Sequence, residues 1–400
     1  MNKIYKVAVI GGGAAGLLCA VELLSGADAF RGEEIAVIER NDRVGKKILA
    51  TGNGQGNISN ADISADNYSG DKKFISDFIV DLKKLDLLTC LKKLGIYTTV
   101  KEDGKIYPVS MQANSVLDAI RVYLSFKDCM AFTGERVTDL KKENGAFAIF
   151  SDTGKKIYAE KVVLATGGKA GKQFGTDGSG YALATDFGHT VTPLVPSLVQ
   201  LKTEKGVIKG LKGVKEYALV SLYDGEKFVK SAIGDVLFTD YGVSGNAVFK
   251  LSDKVAGLKK PALEIEFVPD ISEKDLAEIL KEKSEKPFIP YRELLNGIIN
   301  KKLGEIIISG GNKPVNEIAR AIKKYRVAVT GTLGFDSAQV TKGGVNTREI
   351  TRAFESKIIS GLYIVGEETD VDGECGGYNL TFAFASGIIA ARDIKCREKE

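Results

Sequence analysis

Gly11-x-Gly13-x-x-Gly16 stands between the apolar run Val7–Ile10 and a stretch from Ala14 to Ser25 with helical apolar spacing. These residue types in this order can cradle a pyrophosphate. The glycines allow a tight turn and close backbone approach, and the helix that follows offers unpaired N–H groups and the positive end of its dipole. Ile35–Ile38 is a second apolar run, and it ends in Glu39. An acid there accepts hydrogen bonds from an adenosine ribose and disfavours a 2′-phosphate. Strand, turn, helix and acid-ended strand together make a βαβ unit, and that context strengthens an otherwise weak motif. The candidate contacts are Gly11, Gly13, Ala14, Ala15, Gly16, Glu39 and Arg40.

A similar signature lies at the other end of the chain. The apolar Leu362–Val365 runs into Gly366-Glu367, and Gly376-Gly377-Tyr378-Asn379-Leu380 leads into a closing helix. Amides at that helix start could face the pyrimidine edge of a flavin, where negative charge gathers on reduction. Two such signatures point to one cofactor site built from both ends, and so to a flavoprotein more than to a simple nicotinamide dehydrogenase. Val163–Gly168 is another apolar strand ending in small residues, which adds Ala165, Thr166 and Gly167. The loop Thr51–Asn57 is too rich in Gly and Asn for a helix or strand. Its Gly52, Asn53, Gly54 and Asn57 could wrap the cofactor, with Lys47 neutralising phosphate. Val137, within the strand expected over 131–140, completes the candidate cofactor set. Gln339–Val345 could bring backbone close to a ring. Lys342 is a candidate for tuning the flavin, and Tyr378 for donating a proton or touching substrate.

Several function classes are excluded or disfavoured. The net charge is +4 over 56 basic and 52 acidic residues, a mixed surface that gives no support to a nucleic-acid partner. The five cysteines form no C-x-x-C, which argues against a disulfide framework and against a dithiol reductase. No apolar stretch approaches the ~18–20 residues of a membrane span. The first apolar run is short and leads straight into the glycine turn, unlike a signal peptide. A cytoplasmic location is expected. The single histidine, His189, removes most zinc sites and every mechanism that needs a Ser–His or Cys–His couple. His189 reads as structural and Cys375 as a packing residue.

The elements needed to position these groups follow from periodicity. Helices are expected over 71–94 and 113–127. A meander is expected at 131–140, 146–151 and 156–164. Residues 197–270 read as mainly β, 272–303 and 314–325 as helical, and 381–394 as a closing helix. The simplest architecture is α/β: a discontinuous domain of 1–192 and 331–400, interrupted by an insert, 193–330, on the expected substrate side. The insert would be β-rich over 193–270 and helical over 271–330.

With these segments in view, the chain resembles the BaiN/YhiN-type FAD-dependent flavoproteins, a group that includes aminoacetone-oxidase-type enzymes. The resemblance spans nearly the whole length. It rests on Gly11–Gly16, Gly52-Asn53-Gly54-x-x-Asn57 with Asn60, Ile106–Ser110 and Ala165–Gly168. It continues through Gly188–Thr190, Pro196–Val199, Phe238–Gly245, Gln339–Val345, Gly366-Glu367 and Asp370–Leu380. It implies a two-dinucleotide-binding (Rossmann-like) FAD domain interrupted by a β-barrel-like plus helical insert, with non-covalent FAD. It also implies a small-molecule substrate in a cleft between the domains. Two departures stand out. Gln55 and Gly56 replace an Arg and a Cys usual in the family, and Asp240 and Asn246 replace a His and a Pro.

The expected activity is an FAD-dependent oxidoreductase that exchanges a hydride between flavin N5 and a small organic substrate. An NAD(P)H-dependent reductase of a conjugated enone is the first form. No second complete dinucleotide fingerprint is evident, so NAD(P)H would dock only transiently as electron donor. The alternatives are an amine oxidase that releases hydrogen peroxide and a non-enzymatic flavin-binding or RNA-associated protein.

Overall fold

Ile4–Ile10 is a strand whose second part, Val7–Ile10, is apolar without alternation because it is covered on both faces. In the computed structural model, which describes residues 3–399, it is the third strand of a seven-stranded sheet. Its parallel neighbours are Ile35–Glu39 on one side and Lys156–Leu164 on the other, and Met130–Thr133 pairs beyond Ile35–Glu39. Lys156–Leu164 changes partner halfway. Lys156–Ala159 pairs antiparallel with 147–150, and Val162–Leu164 pairs parallel with Leu362–Ile364. One strand thereby joins segments from both ends of the chain into one sheet.

The first helix, Ala14–Leu23, packs on the last, Tyr378–Arg397. Gly387 lies against Ala15 and Cys19, Arg392 against Glu22, and Lys395 against Ser25. These contacts advance in the same sense along both helices, so the helices run parallel. A Cβ on Gly387 would fall 2.1 Å from the Ala15 carbonyl oxygen, so only glycine permits this spacing.

The chain divides into two compact units, 1–195 with 340–400 and 196–339. Each has its own core. The first is a Rossmann-type βαβ fold with a mixed sheet. The second is a closed antiparallel barrel of Leu201–Thr203, Gly242–Ser244, Lys227–Phe238, Lys215–Asp224, Pro261–Glu266 and Tyr325–Thr332, accompanied by short helices. The return expected at 330/331 falls inside the last barrel strand, so the break lies beyond it. Among the described residues no helix is long and apolar enough to cross a membrane.

Three local expectations are corrected. The helix over 71–94 breaks at Asp86, which is left-handed (φ 49°) and caps the second piece through Thr89 N. The strand over 131–140 is two strands: the chain turns at Gly134, and only Val137–Glu143 belongs to the meander. The helix over 272–303 ends at Ser284, ahead of Pro287 and Pro290, and resumes at Lys301.

Gly387→Ala should destabilise the protein by about 1–3 kcal/mol through overpacking of the two helices. A thermal unfolding scan checks this by a lower midpoint. An unchanged midpoint would show that the helices can part without cost.

Candidate functional site

The glycine turn is held from three sides. Gly11 N donates to the Ile38 carbonyl and Ala165 N to the Ile10 carbonyl, which sets the turn beside Ala165-Thr166-Gly167. A Cβ on Gly11 would lie 2.2 Å from the Ala165 oxygen, and one on Gly16 would lie 2.0 Å from the Gly11 oxygen. Packing therefore dictates both glycines. Gly13 differs: a Cβ there would meet nothing within 4 Å, and its φ of −86° suits any residue. The open space at Gly13 lies at the N-terminus of the Ala14–Leu23 helix, where amides lack intrahelical acceptors. This cradle fits a pyrophosphate.

Glu39, buried at the end of its strand, accepts from Gly12 N (2.8 Å) through Oε2. Through Oε1 it accepts from Asn41 N (2.8 Å) and Asn41 Nδ2 (2.7 Å). The carboxylate is thus fixed beside the turn with lone pairs left for a ribose. Its carbonyl accepts from Glu135 N, which brings Val137 to the same end of the sheet. Arg40 is held by Asp177 at 2.7 Å. Burial opposes ionisation of Asp177, but hydrogen bonds from Arg40 and Ser179 outweigh it and hold the carboxyl at about 2.

The C-terminal signature meets this turn. A Cβ on Gly366 would be 2.9 Å from Ala15 Cβ. Glu367 accepts from Lys47 Nζ (2.6 Å) and Thr341 N (2.8 Å), and Lys47 also donates to the Ala170 carbonyl. The charge of Lys47 is therefore met within the protein. Glu368, absent from the sequence-based candidates, is fully buried. Its Oε2 accepts from both Thr166 N and Thr166 Oγ1 at 2.9 Å, while Oε1 has no partner. Burial pushes this carboxyl up to about 7. Only its place next to Glu367 behind an apolar strand marked it in the sequence.

Around the closing helix, the Asn57 amide, oriented to satisfy its neighbours, donates to the Ser59 carbonyl and accepts from Gly377 N. A Cβ on Gly52 would lie 2.8 Å from Asn57 N and 3.2 Å from the Tyr107 ring. The Gly52-Asn53-Gly54 segment turns through left-handed Gly52 and Asn53. Asn379 closes on Gly373 through both ends of its amide. The helix begins at Tyr378, so the amides of Tyr378, Asn379 and Leu380 have no intrahelical acceptor.

Tyr378 packs edge-on against Tyr68 and shares an electrostatic environment with Lys105 and Cys375. Tyr107 shares the same two neighbours. Burial raises both phenols above their ordinary 10. Tyr107, in the strand Lys105–Pro108, was absent from the sequence-based candidates and appeared only within the family-like segment Ile106–Ser110. Lys342 is placed elsewhere, in the field of Asp370.

His189 Nε2 lies 2.8 Å from Ser356 Oγ, and Nδ1 lies 3.3 Å from Glu349 Oε2. The structure thus contains a Ser–His pair that the sequence argument disfavoured. It is no nucleophile: Ser356 is buried, and its oxygen also accepts from Ile358 N and Ile359 N. Burial lowers the His189 pKa despite Glu349, so the ring is neutral and ties three loops together.

The HI0933-like protein Rossmann domain model matches residues 5–393. The chain belongs to the HI0933-like family. It is an FAD-dependent oxidoreductase. It is 37% identical to the 3-dehydro-bile acid delta(4,6)-reductase of Clostridium scindens, over 97% of this chain and 98% of that one. It is 27% identical to the ribosomal RNA dihydrouridine synthase of Haemophilus influenzae, over 98% and 99%. Among solved structures, 3-ketosteroid-delta4-(5alpha)-dehydrogenase from Rhodococcus jostii RHA1 aligns with a TM-score of 0.52 at 16% identity, over 99% and 98% of the chains. That likeness is one of fold. Among the described residues no group of His, Cys, Asp or Glu could hold a metal, and no disulfide is formed.

Gly13→Ala should fold as the parent does and bind FAD about tenfold or more weakly. Titration of the apoprotein followed by flavin fluorescence checks this, and unchanged affinity would count against the cradle. Glu368 makes a pH prediction. Its folded pKa is raised above the ordinary 4.5, so its stabilising contribution is complete below about pH 4.5 and is lost as pH rises through about 7. The denaturant midpoint of the apoprotein should fall across that window, and Glu368→Gln should flatten the fall.

Proposed function

We propose that this flavoprotein reduces a carbon–carbon double bond conjugated with a carbonyl, in a small-molecule enone, using electrons from transiently docked NAD(P)H. The observation that carries this reading is the 37% identity, over nearly the full length of both chains, to a reductase of a 3-dehydro bile acid. The more distant relatives agree in reaction class. Dihydrouridine differs from uridine by saturation of a bond conjugated with a ring carbonyl, so both printed activities are reductions of that kind.

The residues described above would hold FAD non-covalently. Gly13 and the following amides would take the pyrophosphate, Glu39 the ribose, and Ala165–Gly167, Gly366 and the start of the last helix the rest. Bound FAD supplies hydride chemistry at N5. Saturation of an enone also consumes a proton, and this chain has two phenols to hold it. Tyr378 and Tyr107 both stay protonated at neutral pH, because burial raises them and the nearby carboxylates Asp62, Glu374 and Asp103 add to the effect. The Lys105 ammonium, paired with Asp103 at 2.5 Å, opposes that rise and would steady negative charge developing on a substrate carbonyl. Tyr378 is the favoured donor because it starts the helix whose amides are proposed to face the flavin. A reducing cytoplasm suits a chain without disulfides.

Anaerobic mixing of the holoprotein with NADH or NADPH should bleach the flavin, and a steroid 4-en-3-one should restore its colour. Bleaching by a small amine with fast reoxidation in air would replace this reading with an amine oxidase. Reoxidation by uridine-containing RNA alone would move the substrate to nucleic acid. Tyr378→Phe should lower the rate of enone reduction by about 10²-fold with the flavin spectrum intact. Wild-type turnover in that variant would remove Tyr378 from the reaction and leave the proton to Tyr107.

A further inference from the structure

Glu368 is fully buried, one backbone amide away from the glycine turn. Thr166 N lies 2.9 Å from where a Cβ of Gly11 would stand, and it donates to Glu368 Oε2 at 2.9 Å. Thr166 Oγ1 donates to the same oxygen, also at 2.9 Å. Oε1 has no partner and faces the helix Ser179–Thr185, where a Cβ on Gly180 would fall 2.3 Å from it. A carboxylate wants donors on both oxygens, and this one has them on Oε2 alone.

The charges around it are already spent. Glu367, next in the same turn, is paired with Lys47 at 2.6 Å. Asp370 lies in the field of Lys342. Tyr181, on the helix that Oε1 faces, stays a neutral phenol, raised by burial and by Glu367, Glu368 and Asp370. The Ala165–Gly168 turn carries no titratable side chain. Neither does Gly344-Val345, from which Val345 N donates to the Glu368 carbonyl. On the far side of the glycine turn, Glu39 accepts from amides and Arg40 is taken by Asp177. No cation among the described residues pairs with Glu368.

A pyrophosphate in the glycine turn brings two negative charges to this point. The helix amides can balance them, but a buried carboxylate one amide away opposes them, because like charges interact strongly away from water. We infer that Glu368 is a proton-binding residue of the cofactor site: as the pyrophosphate enters the turn, its carboxylate takes one proton from solvent, and FAD is held beside the neutral acid. In the FAD-free chain burial pushes this carboxyl up to about 7, against the two Thr166 hydrogen bonds. Below that pH it is neutral before FAD arrives, and binding takes up nothing. Above it, each FAD captured brings a proton with it, so affinity falls as pH rises. The inference rests on FAD binding and is indifferent to whether the substrate is an enone.

Holoprotein diluted into buffers from about pH 5.5 to 8.5, at constant ionic strength, releases FAD, and the return of free-flavin fluorescence gives Kd at each pH. The wild-type Kd should be level below about pH 6.5 and rise about tenfold by pH 8.5. Glu368→Gln, neutral at every pH, should keep the low-pH Kd throughout. A second measurement needs no variant. In lightly buffered solution with a pH indicator, wild-type FAD-free protein should take up most of one proton per added FAD at about pH 8, and none at about pH 5.5. A wild-type Kd that does not change with pH, the same change in Glu368→Gln, or no proton uptake at about pH 8 would each overturn the inference.

Discussion

The whole FAD-binding unit depends on a backbone crossing that tolerates no side chain. The carbonyl of Ala165 sits where a Cβ of Gly11 would be, the carbonyl of Gly11 where that of Gly16 would be, and the carbonyl of Ala15 where that of Gly387 would be. Three distant stretches of chain meet there at backbone distance. Their approach brings the first strand, the Ala165–Gly167 turn and the last helix to one point. Glu39, Glu367 and Glu368 can then face one site although they come from opposite ends of the sequence. Gly13 stands in the same turn under no such pressure, which separates the glycines that build the turn from the one that leaves room beside it.

Those three glutamates also show how environment decides the use of one side chain. Glu39 spends its charge on backbone amides and stays available at the strand end. Glu367 is tied to an ammonium and so pins Lys47 and Thr341 around it. Glu368 has no cation, only the amide and hydroxyl of Thr166, and burial keeps it largely protonated below neutral pH. A carboxyl with one unpartnered oxygen is costly to bury charged, and protonation is the way the fold avoids that cost.

The βαβ unit, the β-rich part of the insert and the closing helix were all legible in the sequence, because unbroken apolar runs, turn glycines and period changes are local signals; that the insert is barrel-like came only from the family resemblance. Breaks within elements were less so. Asp86 ends one helix and caps the next, a double role that periodicity does not see. Gly134 separates two strands that belong to opposite edges of the sheet. In the site, glycines and strand-end acids announced themselves, whereas Glu368 and Tyr107 did not. Their significance lies in burial and in neighbours far along the chain, such as Thr166 for the first and Cys375 for the second. The Ser356–His189–Glu349 arrangement is the converse: a constellation that looks chemical by distance but is spent on loop amides.

The partner exchange along Lys156–Leu164 has a consequence for how the molecule is made. The barrel unit is contiguous in sequence, so a growing chain holds all of its strands once residue 339 has emerged. The sheet that flanks it in sequence is then still missing Leu362–Ile364, and the glycine turn is still missing the helix that covers it. Long-range closure of this kind is slow and leaves apolar strands uncovered in the meantime. The barrel unit can therefore close on a contiguous segment, whereas Val7–Ile10 and Ile35–Ile38 belong to a unit completed only by Leu362–Ile364 and the last helix.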